Sequence, residues 1–254
     1  MLVAFTREVS PSLGRCELTH LPRQQIDVEL AREQHRAYEL CLATLGCEVR
    51  RLPPAPDLPD GVFVEDAAVV LDELAVIARP GAESRRAETA SVAAVLGEHR
   101  TLSVIEAPGT LDGGDVLRVG NRLYVGLSTR TNRAGLTQLA EAVRPFGYEV
   151  RSVAVRACLH LKSAVTAVAA DLVLLRRDWV DAAAFAELGL VDVAPSEPMA
   201  ANALLVGETV IVPTAHERTR ERLEHRGIRV RSLAVSELAK AEGGVTCCSL
   251  ICRV

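Results

Sequence analysis

Apolar residues in this chain fall into short runs that come in pairs. Each pair is followed by a longer segment with apolar positions three and four apart, and then by another short run. Such alternation predicts β-hairpin, helix and strand in turn. Residues 2–6 read as a strand, and 10–20, with Pro11 and Gly14, as a loop free to move. Ile26, Leu30, Ala37, Leu40, Leu42 and Leu45 mark a helix over 24–45 that Gly46 ends, before a strand at 48–52. The four prolines of 53–60 admit only a loop. Runs at 67–71 and 74–77 then precede a helix at 83–97 and a strand at 101–105. Runs at 116–119 and 123–125 flank Gly120-Asn121 and precede a helix at 132–146, capped by Asn132, and a strand at 149–153. The order returns at 164–168, 172–175, 182–188 and 190–193, and again at 203–206, 209–212, 215–226 and 229–233.

The repeat is roughly 40–50 residues long. The first unit lacks one strand, and the final run, 248–254, lacks a unit. Pairing the two ends would make a fifth unit and leave no exposed edge. The expectation is therefore one domain over 1–254, a ring of five hairpin-helix-strand units with helices outside and loops converging on a central site. An open sheet with helices on one face is the competing arrangement.

Composition narrows the classes. Of 254 residues, 49% are apolar and 24% charged, a globular balance, while only 3% are aromatic, which leaves Leu, Val and Ala to fill the core. The net charge of −4, with no basic run, argues against nucleic acid and anionic membranes as partners. The apolar stretch 67–78 is broken by Asp72 and Glu73, and Arg7 and Glu8 interrupt the N-terminus too soon for a signal peptide. Seven cysteines without an export signal suggest free thiols in a cytoplasmic setting. No histidine pair has helical metal-ligand spacing.

Polar groups stand out at a few loops. Gly243-Gly244-Val245-Thr246-Cys247-Cys248-Ser249 puts two thiols after a flexible turn. Two buried thiols in a terminal strand would explain the same letters, whereas a nucleophile needs a base from elsewhere. His160, between Leu159 and Leu161 at the start of a strand run, could be that base or a core histidine. Asp112, in Leu111-Asp112-Gly113-Gly114-Asp115, could orient it. Asp60, Glu65 and Asp66 form a carboxylate group suited to a guanidinium, and Arg85, Arg86 and Arg130 stand where they could clamp a carboxylate.

Taken in order, the motifs around Glu65-Asp66, Arg79–Arg86, Asp112–Asp115, Ser128–Asn132, Leu159–Lys162 and Thr246–Ser249 resemble those of the dimethylarginine dimethylaminohydrolases, within the guanidine-modifying superfamily. The resemblance covers nearly the whole chain. It implies a fivefold pseudosymmetric α/β-propeller closed by pairing of the N- and C-terminal strands. It also implies hydrolysis of asymmetric dimethylarginine or monomethylarginine to citrulline and an amine, through a covalent Cys thiouronium. Cys247 matches the nucleophile, His160 the general acid/base and Asp112 the third catalytic acid, where some bacterial members carry Glu. Glu65 and Asp66 match guanidinium ligands, Asp60 an α-amino ligand, and Arg85 with Arg130 the α-carboxylate ligands. Leu18 falls in the family's lid, and Ala241 matches a backbone contact to the substrate amine. No metal or organic cofactor is expected, and no partner beyond the small-molecule substrate, in a monomer or homodimer. Arginine deiminase, agmatine deiminase and amidinotransferase are the alternative activities on this fold, and a binding ring without catalysis is the alternative class.

Overall fold

Four of the five repeats are built on a tight antiparallel hairpin whose second strand also pairs in parallel with the strand that follows the helical segment. The computed structural model describes residues 1–254. Strand β1 (Leu2–Thr6) leads through a long loop to α1 (Val28–Thr44) and β2 (Cys47–Arg51). The second unit is β3 (Ala68–Val70), β4 (Leu74–Ile77), α2 (Thr89–Gly97) and β5 (Thr101–Val104). The third is β6 (Val116–Val119), β7 (Arg122–Leu127), α3 (Arg133–Val143) and β8 (Glu149–Ala154). A short helix α4 (Leu161–Ala164) enters the fourth, β9 (Val165–Ala169), β10 (Leu172–Leu175) and β11 (Gly189–Asp192). The last has β12 (Leu204–Val206), β13 (Thr209–Pro213), α5 (Glu217–Glu224) and β14 (Arg229–Leu233), followed by α6 (Ser236–Ala239) and β15 (Leu250–Arg253).

Five three-stranded sheets result, in the orders β3-β4-β5, β6-β7-β8, β9-β10-β11, β12-β13-β14 and β15-β1-β2. In the fifth sheet the two chain ends meet. Leu2 lies opposite Arg253 and Phe5 opposite Leu250 in the antiparallel pair, while β1 runs parallel to β2. Hairpin turns at Gly120 and Gly207 have φ of +61° and +59°, the left-handed backbone a two-residue turn needs.

Local chemistry sets the helix ends. The Asp27 carboxylate accepts from Leu30 N–H and starts α1 there, four residues later than the apolar spacing predicts. Asn132 caps α3 by accepting from Gly135 N–H. The expected helix over 83–97 splits into a 3-10 turn, Glu83–Glu88, and α2, because the tighter turn aims Arg85 inward. The alanine-rich segment 182–188 makes only a 3-10 turn over Ala182–Phe185, too short a run to repay helix nucleation before β11 begins.

The core is divided among neighbouring sheets. Val3, Phe5, Leu250 and Cys252 pack with Ala75, Ile77, Val92 and Leu96. Val76, Leu74 and Ile105 pack with Leu123, Val125 and Leu139. Leu117, Tyr124 and Val153 pack with Val165, Val173 and Phe185. Val168, Leu174 and Val191 join Val210, Val212 and Leu223. Val206, Ile211 and Leu238 join Ala4, Tyr38 and Leu42. Each fully buried leucine or valine contributes roughly 1.5–3 kcal/mol. No helix is long and apolar enough to cross a membrane.

Candidate active site

Cys247 sits in the turn between α6 and β15. Two glycines bring that turn against its neighbours. A Cβ on Gly243 would lie 2.2 Å from the Phe63 ring, and one on Gly244 would lie 2.2 Å from Asn202 Oδ1. The backbone carbonyl of Cys247 accepts from Glu65 N–H (3.1 Å), which pins the turn to the acidic segment Val64–Ala67. Its sulfur accepts from Gly244 N–H (3.3 Å), and Thr246 Oγ1 stands 3.9 Å away. Burial, with the charges of Glu65 and Asp66, pushes the thiol up to about 12, and the two neighbouring donors offset this only in part. Cys248 points the other way, buried, with its thiol towards Gly244 O.

His160 opens α4 as its cap residue, not a strand, and is buried. Nε2 lies 2.9 Å from Asp112 Oδ2 and Nδ1 3.8 Å from Asp66 Oδ1. The surrounding acids are themselves held in place. Asp112 Oδ1 accepts from Gly81 N–H, its own N–H donates to Thr131 Oγ1, and Asp115 accepts from Leu161 N–H and Ser128 Oγ. Gly114 is required at this point, since a Cβ there would lie 2.7 Å from both His160 Nδ1 and Asp66 Oδ1. Burial disfavours the imidazolium, but Asp66, the hydrogen bond to Asp112 and the charge of Asp115 outweigh it and raise His160 to about 9. Asp66, although buried, falls to about 2 because His160 and Arg85 stabilise its anion. Burial raises Asp115 to about 6. Asp66, Asp112 and His160 offer ligand atoms within 4.8 Å of one another, a spacing a metal ion could use. Those atoms already partner each other, Arg85 and Gly114 N–H.

Cys247, His160 and Asp66 line one cavity together with Asp60, Arg85, Arg130 and Ala241. Arg130 is buried, has no carboxylate partner, and donates to Thr19 Oγ1 (3.0 Å). The Asp60 carboxylate accepts from Glu17 N–H, and burial raises its pKa. Arg85 differs from the open clamp its position suggests. Its guanidinium is held by Asp66 (2.5 Å), Glu88 (2.8 Å) and the carbonyls of Asp60 and Phe63. Glu65 lines a second, larger cavity instead, where Lys162 pairs with its Oε1 at 2.6 Å. Its Oε2 is buried without a partner. Leu18 packs against the core around Leu13 and Cys16, and its neighbour Glu17 faces the cavity.

Sequence reasoning missed several groups. Glu242, at φ +57°, accepts from three successive N–H groups of the N-terminal loop: Thr19 (3.0 Å), His20 (2.5 Å) and Leu21 (2.5 Å). Ser84 adds a hydrogen bond to Glu17 (2.5 Å), so the loop is strapped over the cavity mouth. Glu88, Lys162 and Asn202 serve as partners to site residues. A polar residue beside a Gly-Gly pair was the only signal for Glu242, and nothing marked Asn202.

The arginine deiminase family model matches residues 51–194. The chain is 42% identical over 251 residues to the N(G),N(G)-dimethylarginine dimethylaminohydrolase of Streptomyces coelicolor, spanning 98% of this chain and 96% of that protein. It is 37% identical over 226 residues to the enzyme of that name from Pseudomonas aeruginosa, spanning 88% and 89%. Among solved structures, a Cys-to-Ser variant of the Pseudomonas aeruginosa protein complexed with citrulline superposes with a TM-score of 0.91 at 33% identity, covering 98% of each chain. A His-to-Gly dimethylarginine dimethylaminohydrolase adduct with S-methyl-L-thiocitrulline gives 0.93 at 34% identity, covering 99% of this chain and 100% of the other.

Proposed function

Because this chain belongs to the dimethylarginine dimethylaminohydrolase family, we propose that its cavity hydrolyses asymmetric dimethylarginine and monomethylarginine, with Cys247 as nucleophile and His160 as general acid and base. The products are citrulline and dimethylamine or methylamine. The observation that carries the residue assignment is the single cavity. It holds Cys247 and the His160–Asp66 pair together with Arg130, a buried cation that no carboxylate neutralises.

The charge pattern suggests how the reaction starts. With the site empty the thiol is neutral, because it is buried beside Glu65 and Asp66, while His160 is an imidazolium. A guanidinium entering the cavity against Asp66 offsets the negative charge that held the proton on sulfur, and the proton leaves to solvent. The thiolate attacks the central carbon and forms the C–S bond. His160 gives its proton to the departing dimethylamine as the C–N bond breaks, a step worth roughly 10²–10⁴-fold. A thiouronium remains. Neutral His160 then takes a proton from water, whose oxygen attacks the same carbon. The C–S bond breaks, the second water proton is lost to solvent, and citrulline departs.

Asp112 orients His160, Asp60 takes the α-amino group and Arg130 the α-carboxylate. Arg85 adds its remaining Nη1–H and holds Asp66. Ala241 offers its carbonyl, and Leu18 belongs to the lid with Glu17. We place the five sheets in one closed α/β-propeller domain over 1–254. Support for closure comes from the paired chain ends and from the five cores, the last shared between β12-β13 and β1. The free cysteines suit a cytoplasmic enzyme, monomer or homodimer.

Citrulline and amine release should be measured with asymmetric dimethylarginine, monomethylarginine, arginine and agmatine. Methylarginines should be the substrates, and Cys247→Ser should bind them without turnover. A trapped adduct on the Cys158 peptide in place of Cys247, or turnover of arginine alone, refutes this reading.

A further inference from the structure

One side chain outside the cavity joins the two loops that carry its reactive groups. Asn202, just before β12, is buried. Its Oδ1 accepts from Thr246 N–H (3.2 Å), and its Nδ2 donates to Lys162 O (3.1 Å) and to Thr246 Oγ1 (3.0 Å). These partners fix the amide orientation, since Thr246 N–H requires an acceptor and Lys162 O a donor. Both amide hydrogens are used. The close approach depends on Gly244, where any Cβ would strike Asn202 Oδ1. Lys162 lies two residues after His160, and Thr246 immediately precedes Cys247. The Thr246 hydroxyl accepts from Asn202 and so keeps its own hydrogen. The acceptor the structure offers that hydrogen is Cys247 Sγ at 3.9 Å.

We propose that Asn202 is a positioning residue of this site. It ties the Cys247 turn to the segment bearing His160 and turns the Thr246 hydroxyl towards the sulfur. The inference rests on Cys247 being the nucleophile. Two consequences follow from the geometry. The fixed span sets how the sulfur and the imidazole face a substrate carbon, where a displacement of about 1 Å costs about 10²-fold. A hydroxyl aimed at sulfur beside Gly244 N–H also favours the thiolate over the thiol.

The test needs two readouts, because kinetics alone would not separate positioning from stability. One is kcat and KM for asymmetric dimethylarginine. The other is the rate of Cys247 alkylation by iodoacetamide across pH, followed on its peptide by mass spectrometry without substrate. Asn202→Ala should lower kcat about 10²-fold, leave KM little changed, and slow alkylation about tenfold at neutral pH. Thr246→Val should slow alkylation equally, and the double variant should lose no more than either alone. Asn202→Asp keeps the shape and the acceptor for Thr246 N–H but lacks the donors, so it should behave like Asn202→Ala and carries the test if the alanine variant fails to fold. Wild-type alkylation in Asn202→Asp and Thr246→Val overturns the proposal. So do additive losses in the double variant, or KM rising in step with a falling Tm at unchanged alkylation. Absence of citrulline formation by the wild-type enzyme would instead refute the hydrolase reading, while the alkylation comparison would still stand.

Discussion

Asp112→Asn isolates the role of the imidazolium. In the native site Asp112 Oδ1 accepts from Gly81 N–H and Oδ2 faces His160 Nε2 at 2.9 Å. An asparagine in the same place keeps its oxygen on Gly81, because that donor has to be met. Its NH₂ group then faces Nε2, which must become an acceptor. His160 is left neutral with its proton on Nδ1, and the support that raises it to about 9 falls to Asp66 and Asp115 alone. One pKa unit corresponds to about 1.4 kcal/mol, and the imidazolium loses stability by the share that Asp112 supplied. The general-acid step should then fail, lowering kcat by roughly 10²–10⁴-fold. Because Asp112 is fully buried and does not line the cavity, KM should change little. The assay is citrulline formation against pH with two substrates. Asymmetric dimethylarginine releases an amine that needs a proton. S-methyl-L-thiocitrulline releases a thiolate that does not, so its turnover should fall far less. Equal losses on both substrates, or a loss confined to KM, would refute the reasoning.

Other outcomes follow from the same geometry. Arg130→Leu removes the cation that no carboxylate neutralises, and should raise KM for methylarginines by about one to two decades, from a charge-assisted bond worth ~1.5–3 kcal/mol, with kcat nearly unchanged; steady-state kinetics checks it. Glu242→Gln weakens the strap on Thr19, His20 and Leu21, and should speed limited proteolysis of the loop 13–23 while leaving the melting temperature within a few degrees. His35 is buried beside Glu39, and burial lowers it from 6.5 to about 4. The unfolded chain therefore binds the proton first between those values, and stability should decline as pH falls through that window, by up to ~3 kcal/mol. Urea melts at pH 7.5 and 5 should show this decline, and His35→Leu should flatten it.

Periodicity alone determined the repeat. The strands at 74–77, 172–175 and 229–233 and the antiparallel partners at either end could be read because apolar alternation and turn residues act over a few positions. Cys247, Asp112, Asp60 and Arg130 could be picked out as candidates because loop residues of those chemical types stand out against a Leu-, Val- and Ala-rich background, while His160 read equally well as a core histidine until the family resemblance singled it out. What the sequence could not supply was the partner of each charge. Arg85 and Arg130 look alike in sequence and both line the cavity, yet the 3-10 turn drives Arg85 between Asp66 and Glu88, while Arg130 meets no carboxylate. Glu65 and Asp66 are adjacent, but consecutive residues in a tight turn point apart, so one meets Lys162 and the other His160. The state of the thiol followed the same rule. A cysteine with a histidine to serve it suggests an activated sulfur, but tertiary packing buries it beside two carboxylates, which raises its pKa. Local spacing fixes which residues are presented. Only the folded chain, by bringing together charges more than a hundred residues apart, sets their ionisation and hence the chemistry they can do.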